Sequence, residues 1–168
     1  GHSFGSTSRD ELYGLAVDAA NNVYATGSAG KNNRPATGGN WQTNPSLPVL
    51  EKTPIKHRDI VTAKFDANDG TTKWVSLYGG QGDADTGLGI AVAGDAVYSV
   101  GRFDFAATFS DGAGTFEFHG GSRKDPFLAR HNAADGTLVC ATTVSDHGRV
   151  DQDSVFGGVN VGSTGLPH

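Results

Sequence analysis

Residues that could do chemistry are few in this chain and are concentrated in loops. Gly82-Asp83-Ala84-Asp85-Thr86-Gly87 sets two carboxylates at alternate positions of a glycine-rich turn, and Asp151-Gln152-Asp153 echoes it. Acidic oxygens spaced this way are a start on a Ca²⁺ site, which needs six or more oxygens and commonly draws on three or more loop positions. Asp83 and Asp85 are therefore the metal candidates, and Ca²⁺ is the one cofactor candidate. The alternative is an Asp that accepts turn amides and fixes the loop; the matching positions earlier in the chain are Ser8 and Asp10, so the pair is not kept.

No catalytic constellation is visible. The six histidines (His2, His57, His119, His131, His147, His168) include no His-x-His spacing and no i,i+4 pair, so the imidazoles read as hydrogen-bonded or solvated and not as metal ligands. A Gly-x-Ser-x-Gly elbow is missing, and the glycine-rich loops precede strands where a phosphate cradle would precede a helix. The interaction surface with most to offer is the stretch 31–58. It gathers Lys31, Arg34, Lys52, Lys56 and Arg58 beside Trp41 in an otherwise acidic chain. Long loops on rigid scaffolds carry much of binding, and a loop Trp can stack on a sugar or anchor a protein contact. A variable insertion that covers a neighbouring unit is the alternative reading.

Composition bounds the scaffold that positions these groups. The 168 residues include 25 glycines and no Met, with short Val, Tyr, Phe and Thr runs between Gly, Asn and Asp. That balance predicts an all-β chain. The net charge of −5 argues against nucleic acid as a partner, since phosphate binding needs clustered Lys and Arg. No apolar run approaches the roughly 20 residues that span a bilayer, and no basic-then-apolar leader opens the chain. The first residue is Gly, which implies a processed or excised start. Cys140 is the only cysteine, so no internal disulfide can form.

Pieces of the sequence recur at long, constant offsets. Asp59, Ala63, Asp69 and Gly70 return as Asp125, Ala129, Asp135 and Gly136 (125 − 59 = 136 − 70 = 66). Asp10, Gly14, Ala16 and Val17 return as Asp85, Gly89, Ala91 and Val92 (offset 75), and Val23, Tyr24 and Gly27 as Val97, Tyr98 and Gly101 (offset 74). Such self-similarity marks repeat architecture. Each unit reads as two hairpins in series. In the first, 15–18 and 23–27 flank Ala20-Asn21-Asn22; in the second, 90–92 and 97–101 flank Gly94-Asp95, a turn one residue shorter. The later hairpins turn at Asn68-Asp69-Gly70 and Ala134-Asp135-Gly136, and Asp-Gly between apolar runs is a strong hairpin signal. Between the two hairpins of each unit lies the most divergent part, 31–58 with four of the six prolines in the first and 102–124 in the second. In the latter, Phe116 and Phe118 alternate with Glu117 as a short half-buried strand. Trp74, Tyr98 and Phe127 are expected to pack units together. Cys140, at the position of Trp74 (140 − 66 = 74), is expected to be a buried strand residue with them.

Four-stranded antiparallel units repeated along a chain suggest β-propeller blades. The run from Gly120-Gly-Ser-Arg-Lys-Asp-Pro-Phe through Gly136-Thr, and the run from Tyr78-Gly-Gly-Gln-Gly-Asp to Ile90-Ala-Val, resemble the beta-propeller repeat family often called SBBP repeats. It departs from that family at Ala93, where Asp is usual and Asp18 keeps it, and at His131-Asn132 in place of Phe65-Asp66. The segment Asp66-Ala-Asn-Asp-Gly-Thr-Thr-Lys-Trp also resembles the Asp-box of sialidase-like proteins and the Asp-x-x-x-Gly-x-x-x-Trp turn of quinoprotein-type repeats, which implies a folding device. The resemblance divides the chain into the end of a preceding blade (1–9), a first unit (10–82) with insertion 31–58, a second unit (83–148), and the start of a third (149–168).

About two complete blades plus partial ones cannot close a ring of four to eight. The chain is thus expected to belong to a longer protein or to self-associate. The functional expectation is a non-enzymatic propeller segment of an extracellular or cell-surface protein, serving scaffolding, adhesion or assembly, with protein or possibly glycan as partner and no insertion into membrane. The competing class is a propeller enzyme, glycoside-processing or quinone-dependent, whose active residues lie outside this segment.

Overall fold

The structure, a computed structural model, describes residues 9–30, 58–80, 82, 85–110, 114–143 and 156–162, with the backbone alone for 120–123. Eight strands follow one another: β1 (Glu11–Val17), β2 (Val23–Gly30), β3 (Arg58–Phe65), β4 (Thr72–Gly80), β5 (Thr86–Ala93), β6 (Ala96–Ser110), β7 (Thr115–Asn132) and β8 (Leu138–Thr143). Every pairing is antiparallel, and no helix occurs among the described residues. The chain is all-β. Residues 60–65, rich in β-branched and small side chains, are strand as expected.

Strands β1 to β4 form one meander, and β5 to β8 form another. Turn chemistry fixes both. Gly70 and Gly136 take φ of +73° and +78°, a region open to glycine at little steric cost. Asp69 Oδ1 accepts the Thr71 amide, and Asp135 Oδ1 accepts the Thr137 amide. Asp66 and Asn132 repeat the trick one turn earlier, accepting from Asn68 and Ala134. Irregularities also fall at matched places. Ladders slip between Leu12 and Gly14 and between Gly87 and Gly89, then between Lys64 and Phe65 and between Arg130 and His131.

The first hairpin turns differ for a physical reason. Asn21 has φ of +63°, and Asp18 holds that longer turn by accepting from the Ala20 and Asn22 amides, the Asn22 side chain and Tyr24 Oη. The β5–β6 loop is only Gly94-Asp95, with Gly94 at φ +57°. It has no long turn to brace, which accounts for Ala93 where the first meander has Asp18.

The divergent segment 102–124 is not a separate excursion. Strand β6 runs on through Ser110 and β7 returns from Thr115, so Ala106 to Ser110 pair with Thr115 to His119 as an extended ribbon. Phe116 and Phe118 are half-buried and Glu117 is exposed, as the alternation predicts. The ribbon has a structural consequence that the sequence did not announce. Thr108 and Ala107 of β6 pair with Gly79 and Gly80 of β4, which joins the two meanders into one sheet of order β1-β2-β3-β4-β6-β7-β8 with β5 beyond β6. Arg58, expected to end the excursion, is instead the first residue of β3, and its guanidinium lies 3.5 Å from Glu11. Loop residues anchored in a ladder are strand residues; its cation belongs to the sheet.

Candidate functional site

The most elaborate arrangement of side chains lies where the first meander faces the second. Cross-strand registers place Ala16, Tyr24, Lys64 and Trp74 in one row on one face, and Gly14, Thr26, Thr62 and Ser76 in the next. That face receives the Asn132–Gly136 turn of the second meander. The Ala133 carbonyl accepts from Trp74 Nε1 at 3.2 Å and from Lys64 Nζ at 3.0 Å, and Ser76 Oγ donates to the Gly136 carbonyl at 3.2 Å. Three donors from one meander thus satisfy two carbonyls of a tight turn that would otherwise be desolvated at some cost. Trp74 is 3 % exposed and packs with Tyr24, Ile90, Val97 and Ala133.

Beside it runs a buried polar chain. His131 is fully enclosed, with Nδ1 3.2 Å from Tyr78 Oη and Nε2 3.3 Å from Ser99 Oγ. Its ring stacks on Trp74 and leans on Tyr78. A polar ring in a core is tolerable when both nitrogens are partnered, and here its partners come from β4 and β6, so it ties the two meanders together. Tyr78 then stacks on Phe109 at 5.1 Å, within a cluster of Ile60, Phe103, Phe109, Phe127 and Leu138.

A third set is carboxylic. Asp85 is wholly buried; Oδ1 accepts the Asp104 amide at 2.8 Å and Oδ2 the Gly80 amide at 3.0 Å. It therefore spans from the end of β4 to β6. Burial pushes its carboxyl up to about 7; the two amides oppose this, while the nearby Asp59 and Asp104 charges add to it. Asp10 makes the corresponding clamp in the first meander, accepting the Gly30 amide at 3.1 Å. The equivalence is positional: 85 − 10 = 75 and 104 − 30 = 74.

These placements sort the residues expected to matter. Asp85 serves as an amide acceptor in a strand-to-strand clamp, and Asp83 lies outside the described residues. Among those residues no group of three metal-ligating side chains comes together. Trp74, Tyr98 and Phe127 are buried. Trp74 and Phe127 lie in clusters that draw on both meanders. Cys140 departs from expectation: it is exposed on β8. The reason is that the face carrying Trp74 is covered by the second meander, whereas among the described residues no third meander covers Cys140 on the matching face of β8. Arg34, Trp41, Lys52 and Lys56 lie outside the described residues.

Sequence reasoning missed Tyr78, Ser99, His131 and Asp104. The usable signal was His131 standing where the first unit has Phe65, a polar residue at an apolar address. No family model matches the chain, and no curated protein matches it.

Proposed function

We propose that the chain is a non-enzymatic segment of a β-propeller of the SBBP repeat type, a structural element of an extracellular or cell-surface protein, in which four-stranded blades stack face on face. The observation that carries this reading is the docking of the Asn132–Gly136 turn onto Trp74, Lys64 and Ser76. It is a contact between whole meanders, made by a turn whose equivalent, Asp66–Gly70, stands 66 residues earlier. The matched clamps of Asp10 and Asp85, the matched ladder slips and the matched turns support a repeat. A third unit is supported at 156–162: a Cβ on Gly14 would meet Gly89 Cα at 3.2 Å, and one on Gly89 would meet Gly158 Cα at 2.7 Å. The first strand of one unit, β1, thus lies beside that of the next, β5, and residues 156–162 lie beside β5 in turn. The His131 chain has the atoms of acid–base chemistry, but it is sealed in the core and holds Trp74 and Tyr78 in place.

Cys140 supplies a test in the natural, full-length protein. Intact source cells are treated with a membrane-impermeant maleimide, and the tryptic peptide 131–149 is examined by mass spectrometry. Surface scaffolding predicts labelling of Cys140 without lysis. Labelling seen only after lysis would remove the surface assignment. The stacking part is tested by hydrogen exchange: peptides from β1–β4 and β5–β8 should lose protection together when Gly136 is changed to Ala, and independent loss would sink it.

A further inference from the structure

At one place the two units are built from different chemistry. Phe65 and Ala25 of the first correspond to His131 and Ser99 of the second (131 − 65 = 66, 99 − 25 = 74). The ladders agree: Phe65 pairs with Val23 and His131 with Val97, Ala25 with Ala63 and Ser99 with Ala129. The first unit fills these positions with apolar side chains, Phe65 packing against the cluster of Val61, Ala63 and Val75. The fold therefore does not require polar groups there, yet the second unit has two, both buried. What differs is the neighbour. His131 receives Ser99 Oγ at 3.3 Å on Nε2 from its own meander, and on Nδ1 it meets Tyr78 Oη of the first meander at 3.2 Å, in a place where Tyr78 is 2 % exposed. Tyr78 is not repeated either: the second unit has Val144 at the corresponding position (144 − 78 = 66). A hydroxyl in one unit is thus matched by a His–Ser pair in the other, and the apolar versions of all three positions exist in the same chain.

We propose that Tyr78 selects the neighbouring unit: it makes the inner face of the first meander accept a unit with His and Ser at these two positions and reject one with Phe and Ala. This rests on the reading that the meanders are stacked repeat units. A neutral imidazole carries one N–H and one bare nitrogen, so in either tautomer it can bond both hydroxyls, Tyr78 on one side and Ser99 on the other. A phenyl ring in its place removes the Tyr78 bond where water cannot enter to replace it, and such a loss costs more than the bond itself contributes. Similar units invite stacking in the wrong order, a characteristic failure of repeat proteins. A buried polar bond that only the correct neighbour can make opposes it.

Urea unfolding of four versions of the chain tests this: wild type, Tyr78→Phe, His131→Phe with Ser99→Ala, and all three changes together. With Tyr78 in place, giving the second unit the Phe and Ala of the first should lower the folding equilibrium constant about tenfold or more. In the Tyr78→Phe background the same exchange should leave the constant unchanged or raise it, because a ring without a hydroxyl then meets a pair without one. The preferred neighbour therefore inverts with a single oxygen atom. Continued preference for His and Ser in the Tyr78→Phe background would overturn the proposal, since the pair would then serve packing alone. The same square is run with His131→Leu, so that a clash of the larger phenyl ring is not mistaken for rejection. Recovery of stability in the triple variant of either square supports selection, and equal loss in the double and triple variants of both overturns it. The stacking reading fails separately, through independent loss of protection in the exchange experiment.

Discussion

The indole of Trp74 lies so close on Gly136 that a Cβ there would stand 2.6 Å from Cδ2 and 2.7 Å from Cε3. Gly136 thus answers to two demands, a positive φ and a ring pressed against it. Gly70, at the matching turn, answers only to the first.

That difference yields a matched pair of variants. Gly70→Ala should cost about 1–2 kcal/mol, the left-handed backbone penalty alone. Gly136→Ala carries the same penalty plus overpacking of roughly 1–3 kcal/mol. Urea unfolding of both variants measures the gap, and equal losses would mean that the ring does not press on the turn.

A second pair concerns the two ends of the 66-residue offset. Trp74→Ala should destabilise by about 3–5 kcal/mol, because a large ring and its bond to the Ala133 carbonyl vanish from a closed seam. Cys140→Ser should stay within about 0.5 kcal/mol, as surface changes do. Ellman's reagent should titrate Cys140 in the folded protein at a rate near that of a free thiol. A protected Cys140 would restore the buried role expected of it.

Phe105 gives a prediction of unusual sign. It is half exposed and has φ of +61° where the β6–β7 ladder slips between Asp104 and Ala106. A bulky residue in that region stores strain. Asn tolerates it, so Phe105→Asn should stabilise by about 0.5–1 kcal/mol, although a Phe to Asn change in a regular strand would do the reverse. A lowered melting midpoint would show that Phe105 contributes packing that outweighs the strain.

Local chemistry was legible and neighbours were not. Asp69-Gly70 and Asp135-Gly136 announced their hairpins because the turn needs only those side chains and a permissive φ. Trp74 was legible through size and offset. Cys140 shares its strand address, but burial depends on what lies across the face, and the offset says nothing about that. The β4–β6 seam at Gly79 and Gly80 was illegible because glycines bear no pattern and the ladder was set by the length of the β6–β7 ribbon. His131 and Asp85 read as loop or turn polar groups; only the folded chain brings Tyr78, Ser99 and the Gly80 and Asp104 amides to them.

Asp85 makes the seam sensitive to pH. Its carboxyl stands at about 7 in the folded chain against 3.8 in the unfolded one, so the folded state holds the proton more tightly. The stability it contributes is complete below about pH 3.8 and is lost as pH rises through about 7. Asp18, Asp66 and Asp135 act oppositely, for their carboxyls are lowered, Asp66 to about 2 chiefly by Lys73; their stability is lost only as pH falls through those lower values. The window from pH 5 to pH 8 therefore separates Asp85 from them. The advantage of wild type over Asp85→Asn should shrink by about 3 kcal/mol across it, two pH units at roughly 1.4 kcal/mol each. Asn cannot titrate, and its amide nitrogen confronts the Gly80 or Asp104 N–H, so the variant is weakest relative to wild type in acid. Paired urea titrations at the two pH values measure this. A difference that is the same at both would show that Asp85 is ionised throughout the range, with its two amide donors outweighing burial.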